Sequence, residues 1–355
     1  MLAAGAAPAV AQEPLPLWRA AAQAGLLFGA AGGPEVFTEA AISALHQRHS
    51  RLFVHENAMK LPALRPEADK PNYTHAEALL SYAEKNGMLS QGTALVWNDD
   101  LPAWLKGRSS QEVARLLDAH LEATCAKFYG RFHSYGVVNE PIFPLHHKPN
   151  GYRDGPFYAA LGEDYIFRAF KRVAAVDPTT KLFLNEAWCE QEDAPGMKGL
   201  GPQVRAHLLT LIDKMLDRGL KLDAVGLEAH LHSTQRWDPE AFSRFLEELS
   251  KRKLKIWITE LDVDDQRFAR ELTKRDLQVA DLTTEFLRVA LANKDVEMVV
   301  TWGLSDKTSF LRDPAVAKAR ARDFPARPLP FDDEGREKPM ARALRAGFLA
   351  APARA

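Results

Sequence analysis

Eight short apolar runs, each followed by an amphipathic stretch, predict a single-domain (β/α)8 TIM barrel for this 355-residue α/β chain. The runs are nearly continuous in Val, Ile, Leu and Phe, the pattern of parallel strands covered on both faces. No linker-like stretch splits the chain, and 46% hydrophobic residues supply one large core.

In order, the predicted strands are Leu26–Ala31, Arg51–Asn57, Thr93–Trp97, Tyr135–Glu140, Lys181–Ala187, Ala224–His230, Lys255–Asp262 and Val296–Gly303. Helical patterns fill the intervals. His75–Asn86 is closed by Gly87, and Ser110–Phe128 opens on a Ser cap and is closed by Gly130. Asp164–Val176 stops at Asp177-Pro178, and Val204–Arg218 stops at Gly219. Asp238-Pro239 opens another helix with Pro in its first turn, and Thr273–Ala292 supplies the next. The Arg/Pro/Asp-rich stretch Arg312–Lys338 reads as one long surface loop before the last helix.

Charge excludes one broad class of partner. The 46 Lys plus Arg nearly cancel 47 Asp plus Glu, leaving −1. A nucleic-acid binder would carry a basic excess on one face, so a neutral substrate fits better. No apolar run is long enough to span a bilayer. Residues 1–14, MLAAGAAPAVAQEP, are Ala-rich and carry an A-x-A-like Ala9-Val10-Ala11. They read as a signal-peptide remnant or a disordered leader, with 15–350 as the barrel and a secreted or periplasmic location expected. Cys125 and Cys189 are too few for a disulfide framework and read as buried free thiols.

Active sites of this fold gather where strands end, so polar residues closing apolar runs are candidates. The fourth run closes as Val137-Val138-Asn139-Glu140-Pro141 and the seventh as Ile256-Trp257-Ile258-Thr259-Glu260-Leu261-Asp262. Barrel closure brings two such carboxylates to one rim. Retaining glycoside hydrolysis needs that pair, ~5–5.5 Å apart, one protonated to release the leaving group and one ionised to attack the anomeric carbon.

Five segments together resemble glycoside hydrolase family 10, the endo-β-1,4-xylanases. They are HENAMK at His55–Lys60, LVW at Leu95–Trp97, VVNEP at Val137–Pro141, ITELDV at Ile258–Val263 and WGLSDKTSF at Trp302–Phe310. The resemblance implies Glu140 as acid/base and Glu260 as nucleophile. It further implies Asn139 on the sugar 2-hydroxyl, His230 on the nucleophile, and Asp262 orienting that histidine. Glu56, Asn57 and Lys60 match a sugar-contacting cluster, while Trp97, Trp302 and Phe310 match the aromatic walls of the cleavage subsite. The expected partner is a carbohydrate, with no cofactor, no metal, no nucleic acid and no membrane, and the expected state is a monomer.

Departures from the family pattern fall in the cleavage subsite. Where the family reads close to GHTLVWHSQ, this chain has Gly92-Thr93-Ala94-Leu95-Val96-Trp97-Asn98-Asp99-Asp100. Glu228 stands in place of a glutamine, Phe310 in place of a tryptophan, and Leu61 where a tryptophan usually follows the lysine. Asn98, Asp100 and Glu228 are therefore expected at the substrate, Asp100 and Glu228 with altered chemistry because an ionised carboxylate only accepts hydrogen bonds. Glu228 near the acid/base would also raise that group's pKa. The hydrolytic machinery is expected to persist while plain xylan is not the preferred substrate. Two competing readings are a non-catalytic glycan-binding barrel and a metal-dependent hydrolase. The latter would use Glu228, His230 and His232, which alternate along one strand.

Overall fold

The computed structural model describes residues 13–320 and 322–354. The leader expected at residues 1–14 therefore lies almost wholly outside the described residues. Nine parallel strands form: β1 (Leu27–Gly32), β2 (Leu52–His55), β3 (Leu89–Trp97), β4 (Ser134–Asn139), β5 (Lys181–Glu186), β6 (Ala224–Leu227), β7 (His230–His232), β8 (Lys255–Asp264) and β9 (Val296–Thr301). Each of β1 to β5 pairs with the next, β9 joins β8 to β1, and β6 pairs with β8 to close the barrel. All eight predicted runs are barrel strands. The sixth is interrupted: β7 resumes beyond Glu228-Ala229 and pairs with β8 through His230↔Asp262.

Alternation along the strands separates two cores. Leu52, Val54, Phe183, Trp257, Met298 and Val300 cluster with Ala31, Ala224 and Trp302 and fill the barrel interior. Their immediate neighbours Phe53, Leu184, Ile256, Ile258 and Val299 belong to the larger core between strands and helices. Gly226 faces inward where space runs out. A Cβ there would lie 2.3 Å from Asn185 Oδ1, so only glycine lets that amide occupy the barrel axis.

Helices follow the predicted intervals to within a few residues, at Thr74–Lys85, Ser110–Lys127, Asp164–Val176, Leu200–Asp217, Pro239–Lys251 and Leu272–Ala290. Ser109 and Glu112 form a reciprocal capping box on the second of these. Leu17–Gln23 and Ala40–His49 are among the helices that were not predicted, and neither carries a side-chain cap that would signal its start. Asn72, in the N-x-T tripeptide, accepts the Thr74 N–H at 3.1 Å and starts its helix.

One element overturns the sequence reading. Arg312–Lys338 is not a plain surface loop: it holds the helix Pro314–Arg320 and buries Arg320, Ala326, Leu329, Phe331 and Lys338. Ion pairs do what hydrophobic periodicity would otherwise do. Lys338 Nζ donates to Asp306 at 2.9 Å and to the carbonyls of Arg327 and Leu329, each at 2.9 Å. Arg320 bridges Asp264 at 2.8 Å and Asp265, fastening the new helix to the end of β8. Burial lifts the Asp306 carboxyl to about 6, with Lys338 opposing.

Removing one partner of a buried pair strands the other charge, so Lys338→Met should destabilise by about 3–5 kcal/mol. The pairing double variant Lys338→Met/Asp306→Asn should recover a large part of that loss. Urea unfolding followed by tryptophan fluorescence measures both.

Candidate active site

The C-terminal strand ends open on one cavity of about 460 Å³. Glu56, Asn57, Lys60, Trp97, Asn139, Glu140, Glu228, His230, Glu260, Trp302 and Phe310 line it, together with Thr93, Trp188, His232, Asp264, Asp313 and Val316. Most of the sequence candidates thus share one space.

Backbone conformation aims them. The first residue after β4, Glu140 (φ 45°), has left-handed geometry, as do Trp188 (φ 62°) and Ala229 (φ 61°) just after β5 and β6. Non-glycine residues adopt this region at a cost of roughly 1–3 kcal/mol, met here by surrounding bonds. The Glu140 N–H donates to the Asn185 carbonyl at 2.9 Å, and Arg153 Nε donates to the Glu140 carbonyl at 2.7 Å. The Ala229 N–H donates to the buried Glu190 carboxyl at 2.9 Å.

Side-chain bonds join the strand ends. Asn185 Nδ2 reaches Asn139 Oδ1 at 2.8 Å, Glu260 Oε1 at 2.9 Å and Glu228 Oε1 at 3.2 Å, while Thr259 Oγ1 donates to Asn185 Oδ1 at 2.7 Å. Asn139 Nδ2 passes the chain on to Glu140 Oε1 at 3.2 Å. His230 stands between two acids, with Nδ1 2.9 Å from Asp262 and Nε2 3.2 Å from Glu260. Glu260 therefore receives two donors, the arrangement that a carboxylate nucleophile needs.

Glu140 has the opposite setting. Burial pushes its carboxyl up, the Arg153 guanidinium at 2.5 Å opposes, and the Glu260 charge adds to the rise. Arg153 is shared with Asp99 at 2.6 Å, which spends part of its charge, so burial prevails. For His230, burial works against the charge, but Asp262 and then Glu260 overcome it and hold the imidazole well above the usual histidine range. Burial lifts Glu56 to about 7, helped by Glu35 and opposed by Lys60. Lys60 itself donates to Asn57 at 2.9 Å and sits 5.2 Å from the Trp97 ring centre.

Three expectations need correction. Asn98 and Asp100 lie off the cavity: Asn98 Oδ1 accepts the Phe157 N–H at 3.1 Å from a buried position, and Asp100 faces solvent. The repulsion between Glu228 and Glu140 falls chiefly on Glu228. Burial, then Glu260, then Glu140 raise its own carboxyl, whereas Glu228 is not among the largest influences on Glu140. Glu228, His230 and His232 do not converge as a trio, because the left-handed turn at Ala229 breaks the strand alternation. Glu228 and His230 instead approach Glu260, with one ligand atom from each within 4.8 Å of the others, and His232 stacks on Trp188 at 5.7 Å.

Arg153, Asn185, Glu186 and Glu190 were missed. Arg153 carries no motif in its loop. Asn185-Glu186 closes its strand as Asn139-Glu140 does, so the strand-end rule would have found it. Glu186, however, turns away and accepts the Ile142 N–H at 2.9 Å.

Similarity to known proteins agrees with this geometry. The family model for glycosyl hydrolase family 10 matches residues 17–346. An endo-1,4-β-xylanase B of Thermotoga neapolitana is 27% identical over 304 residues, 84% of this chain and 81% of that protein. An endo-1,4-β-xylanase A of Cellvibrio japonicus is 28% identical over 351 residues, 89% of this chain and 53% of that protein. Among solved structures, xylanase 10B from Thermotoga petrophila RKU-1 in complex with xylobiose superposes with a TM-score of 0.83 at 25% identity, covering 95% of this chain and 98% of that one.

The His230 geometry has a pH signature. Its folded value is raised, so the stability that the charged ring contributes is complete below the unfolded value of about 6.5 and is lost as pH rises through the raised value. Asp262→Asn removes the larger of the raising charges and should lower the ring's titration midpoint by about one unit or more. Imidazole ¹⁵N shifts followed through a pH series measure it.

Proposed function

The chain belongs to glycosyl hydrolase family 10 and is a glycoside hydrolase, and on that premise we propose a retaining double displacement on β-1,4-linked xylan-type chains, with Glu260 as nucleophile and Glu140 as acid/base. The observation that carries this reading is that two carboxyls, the buried Glu260 and the half-buried Glu140, line one cavity in opposite settings. Glu260 faces donors from His230 and Asn185, whereas burial chiefly pushes the Glu140 carboxyl up toward its protonated form.

Those settings suit the two steps. Glu260 attacks the anomeric carbon while Glu140 gives its proton to the departing oxygen. The covalent bond consumes the Glu260 charge, one of the influences raising Glu140. Glu140, now a carboxylate beside Arg153, takes a proton from water, and the resulting attack releases the sugar and restores Glu260. His230 and Asp262 hold the nucleophile in place, and Asn139 links Asn185 to the acid/base.

Trp97, Trp302 and Phe310 offer flat apolar surface to the C–H faces of sugars, with Glu56, Asn57 and Lys60 at their hydroxyls. The relatives named as xylanases support a xylose backbone. With Asn98 and Asp100 off the cavity, the ground for expecting a substrate other than plain xylan narrows to Thr93, Glu228 and Phe310. No helix among the described residues is long and apolar enough to cross a membrane. The Ala-rich residues 1–14 support export.

Glu260→Ala should reduce turnover of every substrate to background. Glu140→Ala should slow xylan hydrolysis by about 10²–10⁴-fold, the usual contribution of general acid catalysis, yet largely spare glycosylation by an activated aryl glycoside. Comparing kcat/KM on the two substrates tests both roles, and equal losses for Glu140→Ala would remove its acid role.

A further inference from the structure

The cavity holds one carboxyl more than double displacement requires. Glu228 is 4% exposed, directly follows β6, the strand between β5 and β8, and lines the same space as Glu140 and Glu260.

Donor supply around it falls short. Asn185 Nδ2 carries two hydrogens but has three acceptors in reach, and the contact to Glu228 Oε1 at 3.2 Å is longer than those to Asn139 and Glu260. Glu228 Oε2 lies 3.9 Å from His230 Nε2, which is closer to Glu260, at 3.2 Å. As an anion Glu228 would be buried with less than one full hydrogen bond. A carboxylic acid needs no such donors and has its own O–H to give.

The surrounding charges agree. Glu260 on β8 and Glu140 after β4 are carboxyls of the same cavity, Glu186 on β5 adds a weaker repulsion although its carboxyl turns to the Ile142 N–H, the buried Cys189 and Glu190 lie just beyond β5, and Asp262 stands behind His230. The cations are His230, already between Asp262 and Glu260, and Arg153, already shared by Glu140 and Asp99. Two neighbouring carboxyls so placed hold one negative charge and one proton between them.

We propose that Glu228 works as a neutral carboxylic acid, the protonated member of a one-proton pair with Glu260, and donates its O–H to a sugar hydroxyl at the cleavage position. This rests on Glu260 being the nucleophile. As pH rises, Glu228 loses its proton, the donor disappears and a second negative charge appears beside Glu260. Glutamine at this position would donate at any pH.

The test separates Glu228 from Glu140. In full-length Glu140→Ala, glycosylation by a dinitrophenyl β-xylobioside needs no acid, so an alkaline decline in kcat/KM belongs to another group. Each variant's alkaline kcat/KM is read as a fraction of its own maximum. That fraction should fall about tenfold per pH unit beyond the midpoint in Glu140→Ala and stay level in Glu140→Ala/Glu228→Gln. An unchanged decline in the double variant overturns the proposal. A second readout does not depend on turnover: the infrared difference between wild type and Glu228→Gln at neutral pH should contain a protonated-carboxyl C=O band, and its absence also overturns the proposal. Trapping with a 2-fluoro-xylobioside distinguishes the failures. Label on Glu260 with no such band refutes the Glu228 proposal alone, whereas label elsewhere refutes the nucleophile assignment beneath it.

Discussion

The amide of Asn185 is the joint on which the mouth of the barrel depends. Its backbone carbonyl receives Glu140, its Nδ2 reaches Asn139, Glu260 and Glu228, and its Oδ1 receives Thr259. One side chain therefore sets the relative positions of groups from four strands. It can do so because Gly226 leaves the space it fills. A buried amide with every polar atom engaged is rigid in a way that a water-filled mouth would not be. Asn185 thereby ties Glu260 to the strand end that carries Asn139 and Glu140, and Arg153 holds Glu140 from its loop.

Barrel strands were legible because a parallel strand covered on both faces must be apolar throughout, and that leaves an unbroken run in the sequence. Glu140 and Glu260 were legible because each interrupts such a run at its end. Asn185 and Arg153 were not. Asn185 closes a run in the same way, but its importance comes from partners on other strands. Arg153 acquires its role only when its loop folds back over Glu140. Asn98 and Asp100 show the converse error: they match a motif position, yet after Trp97 the chain has left the cavity. The stretch after Arg312 was misread because ion pairs hold it, and ion pairs have no period.

Carboxyls greatly outnumber cations around this cavity, and solvent reaches few of them. Each is managed in its own way: Asp262 against His230, Asp264 against Arg320, Glu186 and Glu190 against backbone N–H groups. The environment thereby surrounds chemically identical side chains with different donors and charges, which is what acid and base roles within one pocket require. Arg320 adds a mechanical link. By clasping Asp264 it joins the wall that contributes Asp313 and Val316 to the strand bearing Glu260.

The left-handed residue Ala229 bears on how this protein would respond to engineering. A screen for thermal tolerance would favour glycine there, since glycine occupies that backbone region without steric penalty. Yet alanine restricts the angle at which Glu228 and His230 diverge from one strand, and glycine would let that angle wander. Heat resistance and turnover would then move in opposite directions at a single methyl group, so selection for activity can retain a conformation that selection for robustness alone would discard.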